Sequence, residues 1–180
     1  MPYQSIQYTE ETLRLAKKRA EELGIKTILL ATTRGDTGVR VGEVFSGYKV
    51  IAVTHAQGFR EPDTQEVTPE NRAAMLERGV IIHTVTHTFG SVGRAVRRRL
   101  NTYELEEIVA YTLRLLEEGM KVVCEMAPMA ADAGLIRTDE EVIAIAGTGR
   151  GADTAVVLQP AHAQDFFNLR VKEIICKPRL

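Results

Sequence analysis

The chain has 180 residues, 44% of them hydrophobic and 26% charged, the profile of one ordinary globular domain rather than a disordered or fibrous chain. Its formal net charge is −1, so no overall field draws it to nucleic acid or to an anionic membrane. Trp is absent and aromatic residues make up 6%, which argues against a stacking platform for single-stranded nucleic acid.

Residues 1–8 read as an extended lead-in. Thr9 is placed to cap a helix running to Leu23, with Glu10 and Glu11 in its favourable first turn and Gly24 at its end. Leu13, Ala16, Ala20 and Leu23 fall on one face of it. Lys26 to Ala31 is a short apolar run, read as a buried strand. It stops at Thr32, and Thr33, Arg34, Gly35, Asp36, Thr37 and Gly38 follow before Val39, Val41, Val44 and Phe45 predict a short helix. A polar turn that joins a strand to a helix is a natural anion site, because the helix N-terminus leaves N–H groups unpaired and partly positive. Thr32, Thr33 and Thr37 add hydroxyls and Arg34 a charged fork. The spacing and lysine of a P-loop are absent. An ordinary strand-to-helix turn with a Thr cap is the structural alternative.

Tyr48 to Thr54 predicts a second strand, apolar throughout as in a parallel sheet covered on both faces. His55 to Val67 is longer than the ~4–6 residue median for such connections. It leaves a strand end and carries His55, Gly58, Phe59, Arg60, Glu61, Asp63 and Glu66, so it reads as a lid over a ligand or as a solvated excursion. Thr68-Pro69 starts a helix that runs to Gly79. Val80 to Thr86 predicts a third strand. His83 and His87 invite a metal reading, but four residues of strand span about 13 Å, too far for one ion. His83, Thr84, His87 and Thr88 read better as polar groups near a strand end, some lining a pocket. Gly90 to Leu100 carries Arg94, Arg97, Arg98 and Arg99, read as a solvated face or a subunit contact rather than a nucleic-acid surface, which leaves a homo-oligomer open.

Thr102 to Glu118 predicts a helix with Leu105, Ile108, Val109, Thr112, Leu115 and Leu116 in period and Gly119 as its stop. Met120 to Met126 predicts a fourth parallel strand, presenting Glu125 and Met126 at its end, and Asp132 reads as a cap. A carboxylate there can meet a ligand's polar edge, and methionines can pack on a flat ring. Val142 to Ala146 predicts another strand. The loop after it, Gly147, Thr148, Gly149, Arg150, Gly151, Ala152, Asp153 and Thr154, repeats the first loop's hydroxyls, Arg and Asp, with glycines that allow close backbone approach. Ala155 to Leu158 predicts a strand directly after it, so Gly149 to Ala152 also reads as a hairpin tip. Residues 161–169 read as a polar connection and Val171 to Cys176 as a final strand. Cys124 and Cys176 lie far apart in apolar runs and read as buried free thiols. The polar N-terminus and the lack of an ~18-residue apolar run predict a cytoplasmic protein.

Residues 9–54, with Ile-Leu-Leu-Ala-Thr-Thr-Arg-Gly-Asp-Thr between a helix and Lys-Val-Ile-Ala-Val-Thr, resemble the C-terminal α/β domain of pyruvate kinase. In that family a Thr/Ser-rich loop with a glycine binds the phosphate of a sugar effector, and the matching positions are Thr32, Thr33, Arg34, Gly35, Asp36 and Thr37. The third strand and the strand before Gly147 also have counterparts. The whole chain resembles the stand-alone proteins of this kind from archaea and bacteria. That resemblance, and not composition, implies flavin mononucleotide (FMN) as a ligand. It names no reaction. A catalytic barrel of ~250 residues does not fit this length, so phosphoryl transfer from phosphoenolpyruvate is not expected. Gly38 and the segment from Glu125 to Glu140 lack clear counterparts in pyruvate kinase, so effector specificity does not transfer.

The elements together predict one domain over residues 1–180, a three-layer α/β/α sandwich with a mostly parallel sheet and antiparallel strands near the C-terminal end. Ligands of such sheets bind beyond the strand C-termini. That edge collects Thr32–Gly38, Thr54, His55, Gly58, Phe59, Thr84, Thr88, Glu125, Met126 and Gly147–Thr154. The expected ligand is a phosphorylated flat molecule, FMN by resemblance, with Thr32–Gly38 on the phosphate and Gly147–Thr154 with the strand ends on the rest. Glu125, His55 and His83 are the weak candidates for acid or base, and nothing in the chain announces a catalytic residue. A sensor of sugar phosphates or nucleotides, and an assembly module with merely structural loops, are the rival readings.

Overall fold

The computed structural model describes Ser5–Arg179. Helix α1 (Thr9–Leu23) leads to β1 (Thr27–Ala31), α2 (Asp36–Val44), β2 (Lys49–Thr54), α3 (Pro69–Glu77) and β3 (Ile81–Thr84). Then come α4 (Val92–Leu100), α5 (Leu105–Leu113), α6 (Glu118–Asp132), β4 (Val142–Ala146), β5 (Thr154–Gln159) and β6 (Arg170–Cys176). The six strands form one sheet in the order β3-β2-β1-β4-β5-β6. β1 pairs in parallel with both β2 and β4, and β2 with β3. β5 runs antiparallel to both β4 and β6.

Alternation along the central strands builds two cores. Leu29, Ile51, Val53, Ala144, Val156 and Leu158 face α6. Ile28, Leu30, Val50, Ala52, Ile143 and Ile145 face Leu13, Ala16 and Ala20 of α1 and Val41 of α2. Each central strand is therefore apolar on both sides, which is why it reads as a continuous hydrophobic run. Thr68 caps α3, its hydroxyl accepting from the Asn71 N–H at 3.2 Å, with Pro69 in the first turn.

Several elements differ from the sequence pattern. Residues 1–4 of the lead-in lie outside the described residues, and Ser5–Tyr8 form a 3₁₀ turn rather than extended chain. Thr9 does not cap α1. It is the first helical residue, and its hydroxyl accepts from the Ala152 N–H at 3.0 Å. The largest correction is α6. Met120 to Met126 is helix, not strand, and the helix continues through Pro128 to Asp132. Twelve of its fifteen residues are buried, so the polar face that betrays a surface helix is missing. Pro128 sits inside this helix although a proline lacks the N–H for an interior helical bond. Asp132 ends the helix and accepts from the Ala163 N–H at 3.2 Å, outside the sheet edge. The preceding helix ends at Leu113, a 3₁₀ turn spans Arg114–Leu116, and Glu117 at φ 90° breaks the chain before Gly119, which lies inside α6. Its inward face is Glu107 and Ala110, with Val109 and Leu113 partly buried, while Leu105, Ile108, Leu115 and Leu116 are exposed.

Gly119 lets α6 approach the sheet. A Cβ there would lie 2.2 Å from Thr154 Oγ1 and 2.6 Å from Thr154 Cβ. Alanine ordinarily gains about 0.5–1 kcal/mol over glycine in a helix. Here the clash reverses the sign, and Gly119→Ala is expected to lower unfolding free energy by about 1–3 kcal/mol in chemical denaturation.

Candidate functional site

The strand order changes direction at β1. The chain leaves β1 toward β2 and β3 on one side, and β4 returns on the other. The loops after β1 and β4 therefore emerge side by side beyond the sheet's C-terminal edge, and a crevice opens between them, as such switch points require. Arg150 of the second loop reaches across to Asp36 of the first at 3.0 Å. A cavity of about 360 Å³ lies at this edge, within the ~300–1,000 Å³ usual for small-molecule sites.

The first loop supplies Thr32, Thr33, Arg34, Asp36 and Thr37 to the wall. Thr32 Oγ1 accepts from the Gly35 N–H at 3.2 Å and shapes the turn into α2. Asp36 sits in the first turn of α2, where the dipole favours it, and accepts from Asn71 Nδ2 at 3.0 Å. The Arg34 guanidinium has no carboxylate partner among the described residues. Gly35 and Gly38 are off the wall. A Cβ on Gly35 would lie 2.6 Å from Asn71 Cβ and one on Gly38 2.2 Å from Met75 Sδ, so both glycines serve the packing of α2 on α3.

The second loop is the connection of the β4–β5 hairpin, and it also lines the cavity through Gly147, Gly149, Arg150 and Gly151. The remaining loop residues hold it in place. The Thr148 N–H donates to Ser5 Oγ at 2.5 Å, and Ser5 Oγ donates to Asp153 Oδ2. Thr154 Oγ1 donates to Asp153 Oδ1 at 2.6 Å. Thr148, Asp153 and Thr154 thus lie behind the wall. Gly151, at φ +86°, passes so close to the 3₁₀ turn that a Cβ would meet Ile6 Cα at 2.5 Å.

From the β2 end come Thr54, His55, Phe59 and Arg60. The His55–Val67 loop is stitched to itself. His55 Nδ1 meets Glu66 Oε2 at 2.5 Å, Arg60 Nε donates to Glu66 Oε1 at 2.6 Å, and Gln65 Nε2 donates to the His55 carbonyl at 2.9 Å. Burial raises the Glu66 carboxyl, but the bonds from His55 and Arg60 outweigh it and hold it below the usual carboxylate range. Gly58, at φ +74°, turns this loop and stays off the wall. Thr84 bonds Thr54 through their hydroxyls at 2.7 Å, and both Thr84 and Thr88 lie off the wall. His83 Nε2 lies 3.2 Å from the Met129 carbonyl. No group of three or more His, Cys, Asp or Glu is placed to hold a metal ion among the described residues.

Glu125 and Met126 do reach the cavity, but from α6 rather than from a strand end. With them come Arg114, Glu118, Lys121, Val122 and Met129, which the sequence reading did not place at this edge, Arg94, which it read as a solvated face or subunit contact, and His87, which it read as a pocket-lining polar group. Their sequence signal is a four-residue spacing, Arg114, Glu118, Val122 and Met126, visible only once this stretch is read as helix. Lys121 Nζ donates to Glu125 Oε2 at 2.5 Å, both side chains being over nine-tenths buried. Glu125 Oε1 also accepts from the Phe89 N–H at 3.2 Å. His87 stacks on Phe59 at 4.9 Å and 13°, and His55 lies 4.1 Å from the same ring. The Ala56 N–H points to His87 Nε2 at 3.4 Å, which leaves the proton on Nδ1. Burial lowers the His87 pKa to about 4, so the imidazole is neutral near pH 7.

The cavity thus joins a hydroxyl- and glycine-rich end carrying Arg34 to an end that has an aromatic pair, two methionines and several cations. This is a domain of the doubly wound α/β class, with a cavity at its switch point. The family described as pyruvate kinase, alpha/beta domain, matches residues 10–158, and the chain belongs to that family. It is similar to a pyruvate kinase from Cryptosporidium parvum at 17% identity, covering 85% of this chain and 23% of that one with a TM-score of 0.43. A Cryptosporidium parvum pyruvate kinase in complex with ADP matches at 18% identity over 83% of this chain and 22% of that one, TM-score 0.40. The chain spans less than a quarter of the length of these kinases.

Two measurements follow from this geometry. Lys121→Met strands Glu125 in a buried position and is expected to cost about 3–5 kcal/mol in denaturation, most of which Lys121→Met with Glu125→Gln recovers. His87 is held neutral in the fold and takes a proton in the unfolded chain below pH 6.5, so it removes stability as pH falls from about 6.5 toward about 4. His87→Phe keeps a ring against Phe59 and is expected to flatten the stability–pH curve across that window.

Proposed function

We propose that this chain binds a phosphorylated flat ligand, FMN being the member of that class that the family resemblance implies. The observation that carries this is the composition of the two ends of the cavity. At one end Thr32, Thr33 and Thr37 surround the N-terminus of α2 beside the unpaired Arg34, a donor set suited to a phosphate. At the other, the stacked Phe59 and His87 face apolar Met126, Met129 and Val122, a setting suited to a planar ring. Gly147, Gly149 and Gly151 bring main chain to the wall between these two ends, where a polar chain can meet backbone groups.

A bound flavin would supply hydride or electron transfer, which the protein's own side chains do not perform. The chain's part is binding, orientation and charge. Arg34 and the hydroxyls hold the phosphate, the hairpin loop closes one side, and Arg94 is the cation without a carboxylate partner on the other wall, where Glu118 and Glu125 offset Arg114 and Lys121. Phosphoryl transfer from phosphoenolpyruvate is not part of this reading. A cytoplasmic setting is, and both cysteines are free thiols, Cys124 buried and Cys176 partly buried. No helix among the described residues is long and apolar enough to cross a membrane.

Arg34→Ala combined with Thr37→Val removes a charged fork and one hydroxyl from the phosphate end. FMN affinity, followed by flavin fluorescence, is expected to fall at least about tenfold, with the melting temperature nearly unchanged. Unchanged affinity would take the loop out of the site.

A further inference from the structure

A second cleft, about 180 Å³, opens where α4, α5 and the start of α6 meet, and it shares Arg94, Arg114 and Lys121 with the main cavity. Arg97 and Arg98 complete its basic lining. Three of these five cations are neutralised locally. Arg97 lies 2.7 Å from Glu107, Arg114 2.5 Å from Glu118, and Lys121 2.5 Å from Glu125. Arg94 and Arg98 have no carboxylate partner among the described residues.

The placement of these two arginines is unfavourable for the helix alone. They are four apart on α4, so like charges neighbour on one face, and they also line a shared surface hollow. Arg94 stands in the first turn, the positive end of the dipole, where α4 has no acidic residue and Ser91 makes no side-chain cap. Arg97, Arg98 and Arg99 in the last turn are where the dipole favours cations. Arg94 is nonetheless held. Its guanidinium lies 4.8 Å from the Phe59 ring centroid and over Gly90, where a Cβ would meet its Nη2 at 2.7 Å.

We propose that this cleft is a second oxyanion site, with Arg94 and Arg98 as its clamp. Two uncompensated guanidiniums one turn apart on one face of α4 match the dianion of a phosphoryl group better than a single carboxylate charge. The group belongs to a second small molecule, and Arg94, which lines both spaces, puts that molecule beside whatever fills the main cavity. The site does not depend on the main cavity taking a flavin.

The test is a titration of the ¹⁵N-labelled full chain with inorganic phosphate, followed at the Ser91–Ala95 amides and the arginine Nε–H signals. Saturable shifts there, about tenfold weaker binding in Arg98→Ala, partial recovery in Arg98→Lys and no change at this site in Arg34→Ala are expected. Arg98 is exposed and unpaired, so Arg98→Ala should melt no lower than the parent chain. Absence of saturable shifts, equal shifts with sodium chloride at matched ionic strength, or unchanged affinity in Arg98→Ala would overturn the proposal. Loss of binding at Thr32–Gly38 alone would count against the phosphate loop and not against this cleft.

Discussion

The position of β1 between β2 and β4 is the constraint on which the rest depends. A chain that winds outward from β1 in both directions must leave its loops side by side at one edge of the sheet. The contact of Arg150 with Asp36 at 3.0 Å, between residues 114 apart in sequence, is the visible result. Both groups are about half exposed, so the ion pair contributes little to stability by itself. Its meaning is geometric. It fixes the hairpin loop over the first turn of α2, and the Ser5–Asp153 and Thr9–Ala152 bonds brace that loop from behind.

The opposite wall is built by a different principle. α6 is buried along most of its length and carries ionisable groups inward, which water-excluded chain tolerates only when charges are paired. Lys121 and Glu125 are paired, and the Phe89 N–H takes Glu125's other oxygen. His87 meets the same constraint by staying neutral. The cavity therefore lies between a wall of backbone and hydroxyl donors and a wall of buried, mutually compensated side chains, with Arg34 and Arg94 as the guanidiniums left over on the two sides.

The parallel strands were legible because burial on both faces writes itself as runs such as Ile28-Leu29-Leu30 and Val50-Ile51-Ala52-Val53. The two polar loops were legible because a strand that ends in Thr, Arg, Gly and Asp has no core role to hide them. α6 was not, for the same physical reason that betrays the strands. A helix buried all round loses its polar stripe, and Lys121-Val122-Val123-Cys124 then reads as strand. Arg114 and Lys121 were lost with it, and Arg94 read only as a solvated face or subunit contact, because only the packing of α4 and α6 over the sheet edge brings them to one cavity. Conversely, Asp153, Thr154 and Gly38 looked like ligand residues by type, while their partners, Ser5, Gly119 and Met75, are distant in sequence and assign them to packing.

The central claim, a phosphorylated flat ligand in the cavity at the β1–β4 crevice, is tested most directly by the visible absorption spectrum of the purified protein, with mass identification of what denaturation releases. A flavin spectrum and one FMN released per chain is the predicted result. A colourless protein that also takes up no added flavin would contradict the account.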